Sequence, residues 1–141
     1  MTFTKILVGY DGSPGAKKAL ATACEIARSI AAEVWALAVL EHLPKYAASV
    51  GEVEEATRQG RAYLQEVLDG GRETARALGI ELRVDQAAGQ PALAIVRYAD
   101  EGGFDLIVMG HSGHSGLWGT FLGTTADKAM RHAHCTVMVV R

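Results

Sequence analysis

Between the apolar run Phe104-Asp105-Leu106-Ile107-Val108-Met109 and the helix-like run Ala126-Asp127-Lys128-Ala129-Met130-Arg131, the chain places five glycines, from Gly110 to Gly123 inclusive. The run before them reads as a buried strand, and the helix is expected to begin at Gly123-Thr124-Thr125. Glycine allows tight turns and close backbone approach, because no Cβ stands in the way. The start of a helix offers unpaired N–H groups and the positive end of the helix dipole. Strand, glycine-rich turn, hydroxyls and helix N-terminus together form a grip for a phosphate. Few architectures deliver a strand end to a helix start in this way.

The rest of the chain supplies a matching framework. Residues 4–10 form a short apolar run suited to a central parallel strand. Asp11-Gly12-Ser13-Pro14 stops it, with Ser13 a good N-cap and Pro14 a good first helical residue. A helix follows to about Ile30, with Ala16, Ala19, Leu20, Ala23, Ala27 and Ile30 on one stripe. Val34–Leu40 is the second strand. From Gly51 a long helical period places Val53, Ala56, Gly60, Tyr63, Leu64, Val67, Gly71, Ala75 and Leu78 on one face, with Gly70-Gly71 as the point where it would kink. Gly79 closes that helix, and Ile80–Val84 alternates like an edge strand. Gly89-Gln90-Pro91 starts a helix to about Asp100. The fourth strand then leads into the glycine loop, and Cys135–Val140 is the last strand.

The order β-α-β-α-β-α-β-α-β predicts one domain over residues 1–141, an α/β fold with an open five-stranded parallel sheet and helices on both faces. The loops after strands one and four carry the unusual chemistry. Ligands bind beyond the C-terminal ends of such strands, where the winding reverses. If one ligand uses both loops, strands one and four are neighbours, which gives the order 3-2-1-4-5.

Composition removes several function classes. With 14 Lys and Arg against 16 Asp and Glu the net charge is −2, and the longest basic cluster is the pair Lys17-Lys18. Nucleic-acid binding needs clustered cations to displace counterions, so it is not expected. No apolar run approaches the roughly 20 residues that span a bilayer. The early first strand leaves no room for a signal peptide. Two cysteines, Cys24 and Cys135, suggest inert core thiols in a reducing compartment, with the cytoplasm as the expected location.

The spacing Gly110, two residues, Gly113, nine residues, Gly123-Thr124 resembles the motif of the universal stress protein family, in its nucleotide-binding branch. The opening Lys5-Ile6-Leu7-Val8-Gly9-Tyr10-Asp11-Gly12-Ser13 and the close Arg131–Val140 extend the likeness over nearly the whole chain. The resemblance implies the 3-2-1-4-5 fold and a bound adenine nucleotide, ATP or else ADP or AMP; Mg²⁺, which prefers oxygen ligands and keeps its waters, is the ion expected to bridge its phosphates. The resemblance also implies phosphate and ribose contacts at Gly110, Gly113, Gly123, Thr124 and Thr125, a nucleotide contact at Asp11, and an adenine edge held by the backbone of Val39. Gly9, Tyr10 and Met109 then line the base and sugar pocket. For Asp11 the residues alone also allow an Asx-turn or a cap on the first helix.

The chain departs from the commonest family pattern at His111, where a small hydroxyl residue is usual, and at His114, where Arg is frequent. Both remain expected site residues, but imidazole is mostly neutral at pH 7 and removes a fixed charge from the phosphate end. His111 with His114, and His132 with His134 and Cys135, raise a metal reading. The two groups fall at opposite ends of the sheet, however, and a zinc site needs three or four converging ligands, so no protein-ligated metal is expected. Residues 110–125 hold no Lys or Arg, so the loop is not a Walker motif, and no nucleophile–base pair suggests a catalyst. The expected function is an adenine-nucleotide-binding regulatory protein of the stress response. A family member that has lost the nucleotide and acts as an interaction scaffold, and a slow ATPase or phosphotransferase, stay open as alternatives.

The last strand is apolar on both faces and lies at a sheet edge in the proposed order. Such an edge invites pairing with another chain, and the family resemblance implies a homodimer through Cys135–Val140, with an unidentified protein partner beyond it. Trp118 and Phe121 are expected in that contact, over the pocket, or in plain local core.

Overall fold

Ile6, Leu7 and Val8 have no exposed surface in β1 (Lys5–Gly9), which fixes this strand at the centre of the sheet with both faces covered. The computed structural model describes residues 2–41, 49–111 and 124–141. Around β1 it arranges α1 (Pro14–Ile30), β2 (Glu33–Leu40), α2 (Val50–Ala77), β3 (Arg83–Ala88), α3 (Pro91–Gly102), β4 (Leu106–Gly110), α4 (Thr124–His132) and β5 (Thr136–Val140). The five strands are parallel in the order β3-β2-β1-β4-β5, as the sequence predicts.

Alternation along β1 divides the core. Ile6 and Val8 face a layer built from Ala19, Leu20, Ala23 and Ala27 of α1 and Leu68 and Ala75 of α2. Leu7 faces the other way, onto Ile95, Val96 and Ala99 of α3 and Ala129 of α4. Side chains on a strand point alternately to the two faces, so one continuous apolar run serves two cores.

Helix α1 starts as expected, with the Ser13 hydroxyl accepting from the Ala16 N–H at 3.2 Å and Pro14 in the first turn. Its stripe ends at Ala27, because Ile30 in the final turn is 36% exposed and the buried set gains Cys24 instead. Helix α2 is continuous through Gly70-Gly71. A Cβ on Gly71 would lie 3.2 Å from Cε2 of Tyr10, so this glycine makes room for a buried ring. Tyr63, expected on the buried face, is 61% exposed, while Leu68 is fully buried. Each helical residue turns about 100° from the last, so Tyr63 stands on the flank of a stripe centred on Leu64, Leu68, Gly71 and Ala75.

The C-terminus of α2 is a Schellman motif. Gly79, at φ +81°, donates to the Arg76 carbonyl at 3.0 Å and Ile80 donates to Ala75 at 2.9 Å. That turn corrects the expected third strand. Ile80 and Leu82 close the core beneath α2, and pairing begins only at Arg83 opposite Trp35 and runs to Ala88 opposite Leu40. The strand sits at the edge, as expected, but about three residues later, because alignment with β2 outweighs the weak strand preference of Asp85-Gln86-Ala87-Ala88.

The fourth strand also starts later than its apolar run. Phe104 packs edge-on against Trp35, with ring centroids 6.0 Å apart. Asp105 leaves the ladder to accept from the Thr4 and Lys5 amides at 2.9 and 3.1 Å and from the Thr4 hydroxyl at 2.8 Å. Among the described residues, no helix is long and apolar enough to cross a membrane.

Candidate functional site

From β1 the chain climbs into α1 on one face of the sheet, whereas from β4 it continues to α4 on the other. Because β1 and β4 are adjacent while α1 and α4 lie on opposite faces, a crevice of about 330 Å³ opens beyond their C-terminal ends. This lies at the lower end of the range for small-molecule sites.

Six elements and the turn after β1 build its wall, with Ala16 of α1 among the lining residues. The end of β1 and that turn bring Gly9, Tyr10 and Asp11, the end of β2 brings Leu37 and Val39, and β4 brings Met109 and Gly110. Thr124 and Thr125 come from the first turn of α4, with Pro91 and Ile95 from the first turns of α3. Gly9 packs closely here, since a Cβ on it would stand 3.0 Å from Cδ1 of Ile95 and 3.5 Å from Cε of Met109. One side of the crevice is therefore an apolar slot of Leu37, Val39, Ile95 and Met109. The other carries the hydroxyls and first-turn amides of α4.

Asp11 satisfies both readings of its sequence context. Its Oδ1 accepts from the Ser13 N–H at 2.9 Å, an Asx-type turn leading into α1, and the residue also lines the crevice. Gly12 follows at φ +79°, a left-handed conformation that favours glycine. Tyr10 is buried, and its N–H donates to the Leu37 carbonyl at 2.9 Å. Desolvation, reinforced by the neighbouring Asp11 charge, raises its phenol pKa above the ordinary value and keeps it protonated.

Of the residues singled out from sequence, Gly9, Tyr10, Asp11, Val39, Met109, Gly110, Thr124 and Thr125 meet in this one crevice. Gly113, His114 and Gly123, together with Trp118 and Phe121, lie outside the described residues. His111 stands apart from the crevice lining: its backbone N–H donates to the Val140 carbonyl at 2.8 Å, and its side chain is only 8% exposed. Its Nε2 is buried with no hydrogen-bond partner among the described residues.

Sequence reasoning passed over Ser13 as a wall residue, having read it only as a cap, and missed Glu41, Pro91 and Ile95. Glu41 was within reach, because it stands two residues beyond Val39 and strand parity puts both on one side. Ile95 looked like any core residue of α3, and nothing local marks it.

Among the described residues the crevice is lined by the carboxylates of Asp11 and Glu41 and by no Lys, Arg or His. No three His, Cys, Asp or Glu residues converge into a metal cage there or elsewhere among them. His134 instead meets Asp100 at 2.9 Å on the surface.

Comparison with known proteins agrees with this fold. The profile of the Universal stress protein family matches residues 2–141. A universal stress protein of Methanocaldococcus jannaschii is 33% identical over 140 residues, covering 99% of this chain and 82% of that protein. Among solved structures, the universal stress protein UspA from Lactobacillus plantarum superposes with a TM-score of 0.86 at 26% identity, covering 100% of this chain and 99% of the other. A universal stress protein crystallised in complex with cAMP superposes with a TM-score of 0.77 at 26% identity, again covering 100% and 99%.

Proposed function

The chain belongs to the universal stress protein family, and from that premise we propose that it is a cytoplasmic adenine-nucleotide-binding regulator of the stress response. ATP, ADP or AMP occupies the crevice between the ends of β1 and β4. The observation that carries this reading is the pairing of an apolar slot with a helix N-terminus at a single switch point. The slot of Val39, Leu37, Ile95 and Met109 accepts a flat base. The Gly110 backbone and the Thr124-Thr125 turn face the phosphates, and the spacing of the motif in sequence adds Gly113 and Gly123 to these contacts. A structural relative bound to cAMP supports the adenine preference.

Mg²⁺ suits this site only as a companion of the nucleotide. The available donors are oxygens, the Asp11 carboxylate and the Thr124 and Thr125 hydroxyls, which is the ligand type this ion prefers, while it keeps waters and phosphate oxygens for its other positions. The ion supplies charge neutralisation of the phosphates. No lysine or arginine stands in the described wall to stabilise a phosphoryl transition state, which favours binding that signals occupancy over turnover. Signalling requires a partner, and the open edge of β5 offers one surface: a two-fold homodimer pairing Thr136–Val140, flanked by Cys135, with its copy.

Calorimetric titration with ATP, ADP and AMP in the presence of Mg²⁺ tests the nucleotide. Saturable binding of at least one of them with Kd below about 1 mM is expected. The absence of heat for all three would remove this reading and leave the scaffold.

A further inference from the structure

Helix α2 contributes no residue to the crevice lining among the described residues, yet it touches the crevice wall from behind at three points. At the end of β2, Val39 and Glu41 line the crevice, and strand alternation turns Leu40, between them, to the opposite face. There Leu40 meets α2 so closely that a Cβ on Gly60 would stand 2.7 Å from its Cδ1. In the turn after β1, Asp11 and Ser13 line the crevice, and Gly12 between them abuts Val67. A Cβ on Gly12 would lie 3.0 Å from Cγ1 of that valine. Tyr10, itself a lining residue, lays its ring against Gly71. At about 100° per residue, Gly60, Val67 and Gly71 fall within about 40° of one another around the helix. A single stripe of α2 therefore backs both segments of the wall.

The two halves of α2 are held unequally. Its three buried residues, Leu68, Gly71 and Ala75, lie in the C-terminal half, which the Gly79 turn also fastens. From Val50 to Val67 every residue is half-buried or exposed. A stretch with few buried apolar contacts opens at lower free energy than one in the core. The part of the helix that meets the wall at Gly60 and Val67 is thus the part able to respond to it.

We propose that α2 reads the occupancy of the crevice: a nucleotide that fixes the end of β2 and the turn after β1 also seats residues 50–67 against them. The inference rests on the adenine-nucleotide reading and assigns the route by which occupancy leaves the site. Wall and helix pack as one unit, so ordering either favours ordering the other, and the coupling is reciprocal.

Hydrogen exchange of the full chain, read by mass spectrometry with and without saturating Mg·ATP, ADP or AMP, tests the route, with binding measured in parallel by calorimetry. Exchange across residues 50–67 is expected to slow about fivefold on binding. The last turn of α1, residues 26–30, is open to solvent and remote from the crevice, and is expected to change by less than about twofold. Val67→Ala and Leu40→Ala each remove one contact without touching the lining. Each is expected to cut the protection of residues 50–67 by about half, and the double variant to bring it below about twofold. Nucleotide affinity falls by no more than about fivefold, the reciprocal of the same coupling. Retained binding also shows that the variants are folded. Binding without slowing across residues 50–67, equal slowing in the last turn of α1, or undiminished protection in the double variant would overturn the read-out while leaving the nucleotide reading in place. No heat of binding for any of the three nucleotides would overturn both.

Discussion

Gly110 lies so close to Gly15 that a Cβ added to it would stand 2.6 Å from the Gly15 carbonyl carbon and 2.7 Å from its oxygen. The first glycine of the phosphate-loop spacing is therefore fixed first by packing, because the end of β4 runs under the start of α1. Gly110→Ala must push the two apart. Loss of about 1–3 kcal/mol in urea unfolding is expected, with weakened nucleotide binding as the crevice wall shifts. A variant as stable as the parent would show that the contact yields without cost.

Asp105 ties the entry of β1 to the entry of β4 through three hydrogen bonds from Thr4 and Lys5. Partial burial works against its charge, but the amide and hydroxyl donors win and hold its pKa below the ordinary 3.8. A depressed carboxylate contributes stability that is full above its unfolded pKa and disappears as pH falls through the folded value. Asp105→Asn is thus expected to lose about 1 kcal/mol at pH 7, a modest figure because the site is largely open to water. Urea midpoints of parent and variant should converge below about pH 3. An equal difference at both pH values would rule out the charge as the cause.

Ala31, at φ +57°, caps α1 in a left-handed conformation, the only positive φ of a non-glycine among the described residues. A Cβ there costs about 1 kcal/mol. Ala31→Gly relieves it at some expense in unfolded-chain entropy. A net gain of a few tenths to about 1 kcal/mol is expected, read as a higher melting temperature. A lower one would mean that the methyl group contributes packing.

Thr124 and Thr125 open α4 on the crevice wall. Replacing both hydroxyls by methyl groups in Thr124→Val/Thr125→Val keeps shape while removing donors. About a tenfold loss of Mg·ATP affinity is expected, with adenosine binding unchanged. Equal losses for both ligands would point to a displaced helix rather than lost phosphate contacts.

Val139 of β5 is half-buried and stands outside both core layers. If the β5 edge pairs with its copy, Val139→Lys introduces like charges across the two-fold axis and should convert dimer to monomer in sedimentation velocity. Unchanged sedimentation would exclude this edge as the contact.

The apolar runs Ile6–Val8 and Leu106–Met109, the Ser13-Pro14 start of α1 and the Gly79 stop of α2 were legible because each is a local signal. Burial on both faces demands unbroken hydrophobicity, and a cap demands a particular side chain at one position. The glycine spacing pointed in the same local way to the crevice and to Thr124, Asp11 came from its place at the end of the first strand, and Val39 came only with the family resemblance. Residues 80–88 show where local signals fail. Ile80–Val84 has the better strand pattern, but the pairing partner is β2, and its register moved the strand to Arg83–Ala88.

What the sequence by itself determined is the succession of elements, since periodicity and caps act within a few residues; the sheet's 3-2-1-4-5 order followed only with the premise that one ligand uses both loops and with the family resemblance. Only the tertiary structure decided that Glu41 and Ile95 belong to the crevice, that His111 turns its backbone to Val140 instead of lining it, and that Gly110 is held to glycine by Gly15. Those are distances between segments far apart in the chain. They are set by how helices and strands stack, and no short stretch of residues encodes them.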